Sequence, residues 1–196
     1  NCYNGHLTEC LLFSAVTQKK FHLTSFLGTR GYTFVIVYKK SISMTSEVMK
    51  KKIESLLLST KRKGIEKVIE AMSKGAFYHS AGGYHHHRWH GGLAQHALGT
   101  YYAARSLHYD VPQDSLIICT LLHDMCKSDI LPNISPNRHG LRSQNVLTSL
   151  GLELSEREKF AIRKHMHRDA GSDPLYKAVY RGDKDDARNS HHTKAI

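Results

Sequence analysis

The stretch LIICTLLHDMCKSD, from Leu116 to Asp129, decides the fold class. It begins with an apolar run that is typical of a helix buried inside a domain, and His123 and Asp124 then follow together. A buried carboxylate is costly unless it is paired, hydrogen-bonded or bound to a metal. The stretch therefore predicts a core helix whose polar end requires a partner.

The length and composition of the whole chain are typical of one domain. Its 196 residues are enough to enclose a core, and they contain no apolar run long enough to cross a membrane. The formal net charge of +11 favours anionic partners such as phosphates or nucleic acid, although much of the excess lies in runs typical of exposed helix faces. The four cysteines show no paired CxxC spacing, so we predict reduced thiols and a cytoplasmic location.

Residues 1–43 differ from the rest of the chain. Glu9 is their one acidic residue, and they show little helical periodicity. We expect either an irregular extension with weak β character around residues 33–38, or upstream sequence that precedes a natural start at Met44. A helical domain is expected to span residues 44–196.

Apolar residues recur at helical spacing from residue 44 onward. Ser46 is a candidate helix cap, Ser155 and Glu158 form a capping-box pattern, and Asp173 with Pro174 is typical of a helix start. No strand-like alternation competes with this pattern, so the sequence predicts an all-α bundle of about six or seven helices. The expected helices are at about 46–59, 65–72, 92–108, 113 through the quoted stretch, 141–150, 155–167 and 173–188.

Several helices direct a histidine or an aspartate toward the core. His96 shares the stripe of small and apolar residues on its helix, and Asp183 follows two apolar residues at a spacing of four. His165 follows two apolar residues on the capped helix, and His139 stands beside Gly140 where a loop becomes a helix. One inward histidine is ordinarily a hydrogen-bonded core residue. The combination, without inward basic residues to balance it, points to a bound divalent cation.

These elements resemble the HD-domain superfamily of metal-dependent phosphohydrolases, and especially small bacterial HD proteins and the HD domain of certain exoribonucleases. The resemblance covers about residues 75–188 and implies an HD-type helical fold. It rests on five motifs in family order: GGLAQH (91–96), LLHDMCK (121–127), HGLRS (139–143), AIRKHM (161–166) and GDKDDA (182–187).

The resemblance implies a set of metal ligands. Asp185 or Asp186 could replace Asp183, the last ligand of the set, if the register slips. His90 is a rival for the first ligand, although the family spacing favours His96. Gly182 stands where an alanine usually precedes the last aspartate. The implied ligands are His96, His123, Asp124 and Asp183, with His139 and His165 at positions that hold a second metal or bind phosphate in members with larger sites.

The resemblance also implies the chemistry. Asp124 and Lys127 would be catalytic, and Lys127, Arg142 and Arg88 would balance the charge of a substrate phosphate. The implied cofactor is a divalent ion, Mn, Fe, Co, Ni or Zn, in a site for one ion or two. The expected substrate is a nucleotide or a related small phosphoester. Two alternatives stay open, namely exoribonuclease-like processing of RNA and a protein that keeps a metal or ligand without turnover. The sequence does not determine the oligomeric state.

Overall fold

The computed structural model of the protein describes residues 45–83, 85–128 and 138–190 of the chain. In these ranges it contains seven α-helices, one short 3-10 helix and no strands, which confirms the predicted all-α fold. The expected extension at residues 1–43 lies outside the described residues. No described helix is both long and apolar enough to span a membrane. The helices are α1 (Ser46–Ser59), α2 (Ile65–Lys74), α3 (Gly92–Ser106), α4 (Gln113–Leu122), α5 (His139–Ser149), α6 (Glu156–Lys164) and α7 (Pro174–Ser190), with the 3-10 helix Met125–Ser128 after α4.

The apolar pattern of the stretch that decides the fold class predicts one continuous helix. In the structure the stretch is broken into two helical segments. Helix α4 ends at Leu122, and His123 occupies its C-cap. The chain then turns at Asp124 and continues as the 3-10 helix Met125–Ser128. Because of this turn, two adjacent polar residues lie at the end of a buried helix rather than along its side.

Side-chain caps set the start of three helices. Thr45, rather than the predicted Ser46, caps α1 by accepting a hydrogen bond from a backbone amide of the first turn. The predicted capping box of Ser155 and Glu158 is present at α6. Asp173 accepts hydrogen bonds from two backbone amides in the first turn of α7. Each cap accepts a hydrogen bond from first-turn backbone amides, which have no acceptor within the helix.

Helix α3 packs against α1, α4 and α7, and α6 packs against α5 and α7. The contacting faces are apolar, as the helical periodicity requires. Burying one large apolar side chain contributes about 1.5–3 kcal/mol, so the sum over these faces drives assembly. Fully buried core residues include Ile53, Leu93, Ile118, Leu122, Ile162 and Leu175.

Two glycines allow α3 and α7 to approach closely. A Cβ atom on Gly182 would lie 2.7 Å from the carbonyl oxygen of Thr100, well inside van der Waals contact. A Cβ atom on Gly99 would overlap the carboxylate of Asp186. The absence of these side chains brings the acidic residues of α7 against the face of α3 that carries His96.

A buried ion pair ties α6 to the segment between α1 and α2. Arg62 donates to both carboxylate oxygens of Glu158, at 2.8 and 2.9 Å, and Ser115 of α4 donates to the same carboxylate. Burial alone would raise the pKa of Glu158, but the bonds from Arg62, Ser155 and Ser115 outweigh it and lower the pKa. Glu158 is therefore a fully paired anion.

Candidate metal centre

Four side chains from three parts of the bundle meet in the interior. His96 comes from α3, His123 and Asp124 from the end of α4, and Asp183 from α7. All four are buried, with exposed fractions of 4% or less. Helices that are distant in sequence thus bring two imidazoles and two carboxylates together, as the sequence predicts.

The facing atoms of these side chains are spaced as the ligands of one cation would be. His96 Nε2 lies 3.1 Å from Asp183 Oδ1 and 3.3 Å from His123 Nε2. His123 Nε2 lies 3.4 Å from Asp124 Oδ2. Bonds of about 2.1 Å to a metal ion place neighbouring ligand atoms about 3.0–3.5 Å apart. These residues therefore fit a divalent cation, and we call them the first cluster.

A second group of imidazoles lies close to the other carboxylate oxygen of Asp124. His139 Nε2 and His165 Nε2 lie 3.2 and 3.6 Å from Asp124 Oδ1, and 2.8 Å from each other. His139 begins α5, and His165 is the C-cap of α6. We call Asp124, His139 and His165 the second cluster. The two oxygens of one carboxylate therefore face two different groups of imidazoles.

The hydrogen bonds behind three imidazoles determine which ring nitrogen is free. His123 Nδ1 donates to the carbonyl of Thr120 at 2.8 Å, and His165 Nδ1 donates to that of Ile162 at 2.6 Å. His96 Nδ1 donates to a carboxylate oxygen of Asp186 at 2.7 Å. Because carbonyls and carboxylates only accept, each Nδ1 carries a proton, so Nε2 is the nitrogen whose lone pair can bind a metal ion in the cluster. Metal-binding histidines are held in this way.

Two of these lone pairs point at another imidazole nitrogen. Nε2 of His123 faces Nε2 of His96, and Nε2 of His165 faces Nε2 of His139. Two lone pairs at hydrogen-bond distance repel unless a proton or a metal ion lies between them. Each pair of rings therefore needs a proton or a metal ion between its two nitrogens.

The charged groups of the site shift one another's pKa values. Burial would raise the pKa of Asp124, but Lys127 and His123 outweigh burial and hold that pKa well below its usual range. Burial would likewise raise the pKa of Asp183, and His96 lowers it further than burial raises it. Burial lowers the pKa of His96, but Asp183 and Asp186 raise it to about 9. Both carboxylates are ionised, which is the form that binds a metal.

The oxygen Oδ1 of Asp124 gives a further test of fit. It is buried, and it accepts no hydrogen bond from any residue that the structure describes. The nearest imidazole nitrogen of the second cluster, His139 Nε2, lies 3.2 Å from it. A buried carboxylate oxygen without a donor is costly, and a cation in the second cluster would satisfy it.

Lys127 corrects one expectation from the sequence. No inward basic residue was expected, yet Lys127 Nζ lies 2.5 Å from Asp124 Oδ2 and donates to the carbonyl of Gly82 at 2.9 Å. An ion pair therefore meets part of the charge of Asp124. Lys184, next to Asp183, lies 3.2 Å from that carboxylate and balances part of its charge. Both lysines are partly exposed, so they border the centre.

The remaining predicted site residues lie outside the clusters. Arg142 is half-buried on α5, and Arg88 is exposed in the loop before α3. His90, the rival of His96, is exposed and hydrogen-bonds with His79. Asp185 forms a partly exposed ion pair with Arg188.

Three residues near the first cluster are not in the ligand set that the resemblance implies, although Asp186 is an alternative there for the last ligand. His86 and His87 lie close enough to His96 that the three rings could share a cation. Burial and the neighbouring charges of His96 and Lys127 lower the pKa of His86 to about 3, so its ring is neutral. Asp186 binds the rear nitrogen of His96. Its spacing of three from Asp183 places both on one face of α7, and this spacing is the signal in the sequence.

Comparison of the chain with protein-family models, with curated proteins and with solved structures finds no significant match. The structure is a helical chain with buried histidines and aspartates that could hold a metal ion, and it is compatible with an HD-like arrangement. Imidazole and carboxylate ligands suit several divalent transition metals and do not select one.

Proposed function

We propose that this chain is a metal-dependent phosphohydrolase of the HD type that cleaves a phosphoester of a nucleotide or a related small molecule. The observation that carries the proposal is the position of Asp124 between two groups of imidazoles. A carboxylate shared by two clusters suits a pair of neighbouring cations, and such pairs are used in the hydrolysis of phosphate esters.

The residues divide into those that hold a cation and those that face the substrate. His96, His123 and Asp183 would hold the first ion, Asp124 would bridge, and the histidines of the second cluster would hold the second ion. When bound, a divalent ion lowers the pKa of water and polarises a phosphoryl oxygen, so that hydroxide is available near neutral pH. The protein excludes bulk water from the ligand atoms by burying them, which strengthens every charge interaction in the site.

Lys127 would contact the substrate phosphate. Its side chain is 25% exposed and its ammonium group adjoins Asp124, so it lies between the ligand atoms and solvent. Burial would lower the pKa of Lys127, but Asp124 raises it, and the group stays cationic. A fixed cation stabilises the negative charge that develops during phosphoryl transfer. Arg142 and Arg88 would add charge around the phosphate.

The experiment is to purify the full chain, load it with Mn²⁺, Co²⁺ or Zn²⁺, and measure release of phosphate or alcohol from phosphomonoesters, phosphodiesters and nucleotides. We expect metal-dependent turnover that Asp124→Ala abolishes. Lys51→Ala is the control, because Lys51 is exposed and pairs with Glu47 on α1. Loaded protein that is inert toward all these esters would contradict the proposal, and so would equal activity in the two variants.

A second candidate function is exoribonuclease-like processing of RNA. It is favoured by a cleft beside α7 that carries four cationic side chains and one carboxylate, that of Asp185. Lysine and arginine neutralise the phosphates of a nucleic-acid backbone, and an aromatic ring such as that of Tyr180 can stack on a base. The cationic residues are Arg168, Arg181, Lys184 and Arg188.

A further inference from the structure

A third acidic residue contacts the candidate metal centre from behind a ligand. Asp186 lies three residues after Asp183 on α7, and its Oδ2 accepts the hydrogen bond from Nδ1 of His96 at 2.7 Å. The opposite ring nitrogen, Nε2, faces Asp183 Oδ1 at 3.1 Å. One imidazole is thus held between two carboxylates of the same helix, one on each ring nitrogen.

We infer that Asp186 is the positioning residue of His96 and that His87 holds Asp186 in place. The inference rests on the proposed function, because it assigns His96 to a metal. Asp186 fixes the proton on Nδ1 and the orientation of the ring, so that the lone pair of Nε2 points at the cation. Carboxylates behind metal-binding histidines act in this way and are worth about 10–100-fold in metal affinity.

The fold makes room for this carboxylate. Gly99 lies one turn after His96 on α3, and any Cβ atom there would overlap the Asp186 side chain. The side chain of Asp186 is 15% exposed, so its charge is largely removed from water. A desolvated carboxylate needs positive or donating partners, and the partners are His96 and His87.

His87 reaches Asp186 from the loop before α3. Its ring is 3% exposed, and its Nε2 lies 3.5 Å from Asp186 Oδ2. Its backbone adopts a left-handed conformation, with φ of 48°, which is unfavourable for a residue other than glycine. The amide of Gly82 donates to the carbonyl of His87 at 2.8 Å and fixes that conformation. Such strain persists where the surroundings enforce it, and it is commonly found at functional sites.

Without Asp186, the ring of His96 loses the bond that selects its tautomer. The proton can then move to Nε2, and the ring can turn so that the wrong nitrogen faces the first cluster. The second cluster has its own support, because His165 is held by the carbonyl of Ile162. The effect of removing Asp186 therefore falls on the first ion.

The test is a titration of the full chain with Co²⁺ at neutral pH, in competition with a chelator and monitored by the visible absorption of the bound ion. Asp186→Ala removes the carboxylate, and Asp186→Asn keeps an acceptor without the charge. Asp185→Ala is the matched control on the same helix, since Asp185 pairs with Arg188 away from the clusters. Circular dichroism checks that each variant keeps its helices.

We expect Asp186→Ala to weaken binding of the first Co²⁺ by about 10–100-fold and to change its absorption spectrum, with a smaller loss for Asp186→Asn and no change for Asp185→Ala. If Asp186→Ala loses its helices, Asp186→Asn decides: weaker binding supports the inference, and unchanged binding overturns it. Wild-type affinity in a folded Asp186→Ala variant also overturns it. Wild-type protein that binds Co²⁺ without hydrolysing any ester would contradict the proposed function and leave this inference standing, whereas protein that binds no Co²⁺ overturns both.

Discussion

His96 Nε2 and Asp183 Oδ1 lie 3.1 Å apart, although the two residues belong to helices far apart in the chain. The approach depends on small residues where α3 crosses α7. At Gly182, a Cβ atom would lie 2.7 Å from the Thr100 carbonyl oxygen and 2.8 Å from Ala104 Cβ. Neither neighbour is the far end of a flexible side chain, so an added methyl group forces the helices apart.

Gly182→Ala should therefore weaken both the fold and the metal centre. We expect a loss of about 1–3 kcal/mol in the free energy of unfolding, measured by urea denaturation, and weaker Co²⁺ binding. Gly171→Ala is the control, because its nearest neighbours are atoms of the Phe160 ring at an ordinary 3.7 Å. Equal stability of the two variants would show that the α3–α7 approach is not tight.

Metal stoichiometry should separate the two clusters. We expect two ions per chain in the wild-type protein, one in Asp183→Ala, one in His165→Ala and none in Asp124→Ala, because the two carboxylate oxygens of Asp124 face the two clusters. Elemental analysis of the purified variants after metal loading measures this directly. An Asp124→Ala variant that retained two ions would remove the bridging role from Asp124.

The sequence was sufficient to predict that the histidines and aspartates converge, because a carboxylate among core residues demands a partner. It was not sufficient to locate the end of α4. The residues after the turn, Met125 and Cys126, are themselves buried and apolar, so periodicity continues through the break. The turn at His123 and Asp124 becomes visible only in the structure.

The contacts that other side chains make with the candidate ligands also could not be predicted from the sequence. GDKDDA offers three aspartates in four positions, and which of them faces α3 depends on the register set by Gly182 against Thr100. The resemblance predicts Lys127 at a substrate phosphate. The lysine also pairs with Asp124, because its long flexible side chain reaches inward from the border of the site.

Lys127→Met should separate the roles of ligand and substrate contact. The change keeps the unbranched chain up to the terminal ammonium group and removes the charge, so we expect the metal content to stay at the wild-type level while kcat/KM for a phosphoester falls by about 100-fold. Lys74→Met is the control, because Lys74 is exposed and pairs with Glu70 within α2. Loss of metal from Lys127→Met would instead give Lys127 a structural role at Asp124.

The Glu158 and Arg62 pair should make stability depend on pH. The pKa of Glu158 is lower in the folded protein than its ordinary value of 4.5, so its contribution is present above about pH 4.5 and is lost as the pH falls through the folded value. Glu158→Gln should cost about 3 kcal/mol at pH 7 and less in acid. Glu156→Gln, at a 90% exposed site on the same helix, should cost little. Urea unfolding of the three proteins at pH 7 and pH 3 measures the difference, and a cost for Glu158→Gln that did not shrink in acid would contradict the assignment.

Charge reversal in the cationic cleft should separate the two candidate functions. Arg181 is exposed and belongs to neither cluster, so Arg181→Glu should leave hydrolysis of a small phosphoester unchanged. If the chain processes RNA, the same change should weaken binding of single-stranded RNA and reduce the dependence of that binding on salt, because fewer counterions are released. Lys51→Glu makes the same change of charge on the exposed face of α1, so it is the control for the change in net charge. Fluorescence anisotropy at several salt concentrations measures the affinity for RNA and its dependence on salt in both variants. RNA binding that is absent, or equally weakened by the two variants, would remove the second candidate and leave the nucleotide-sized substrate.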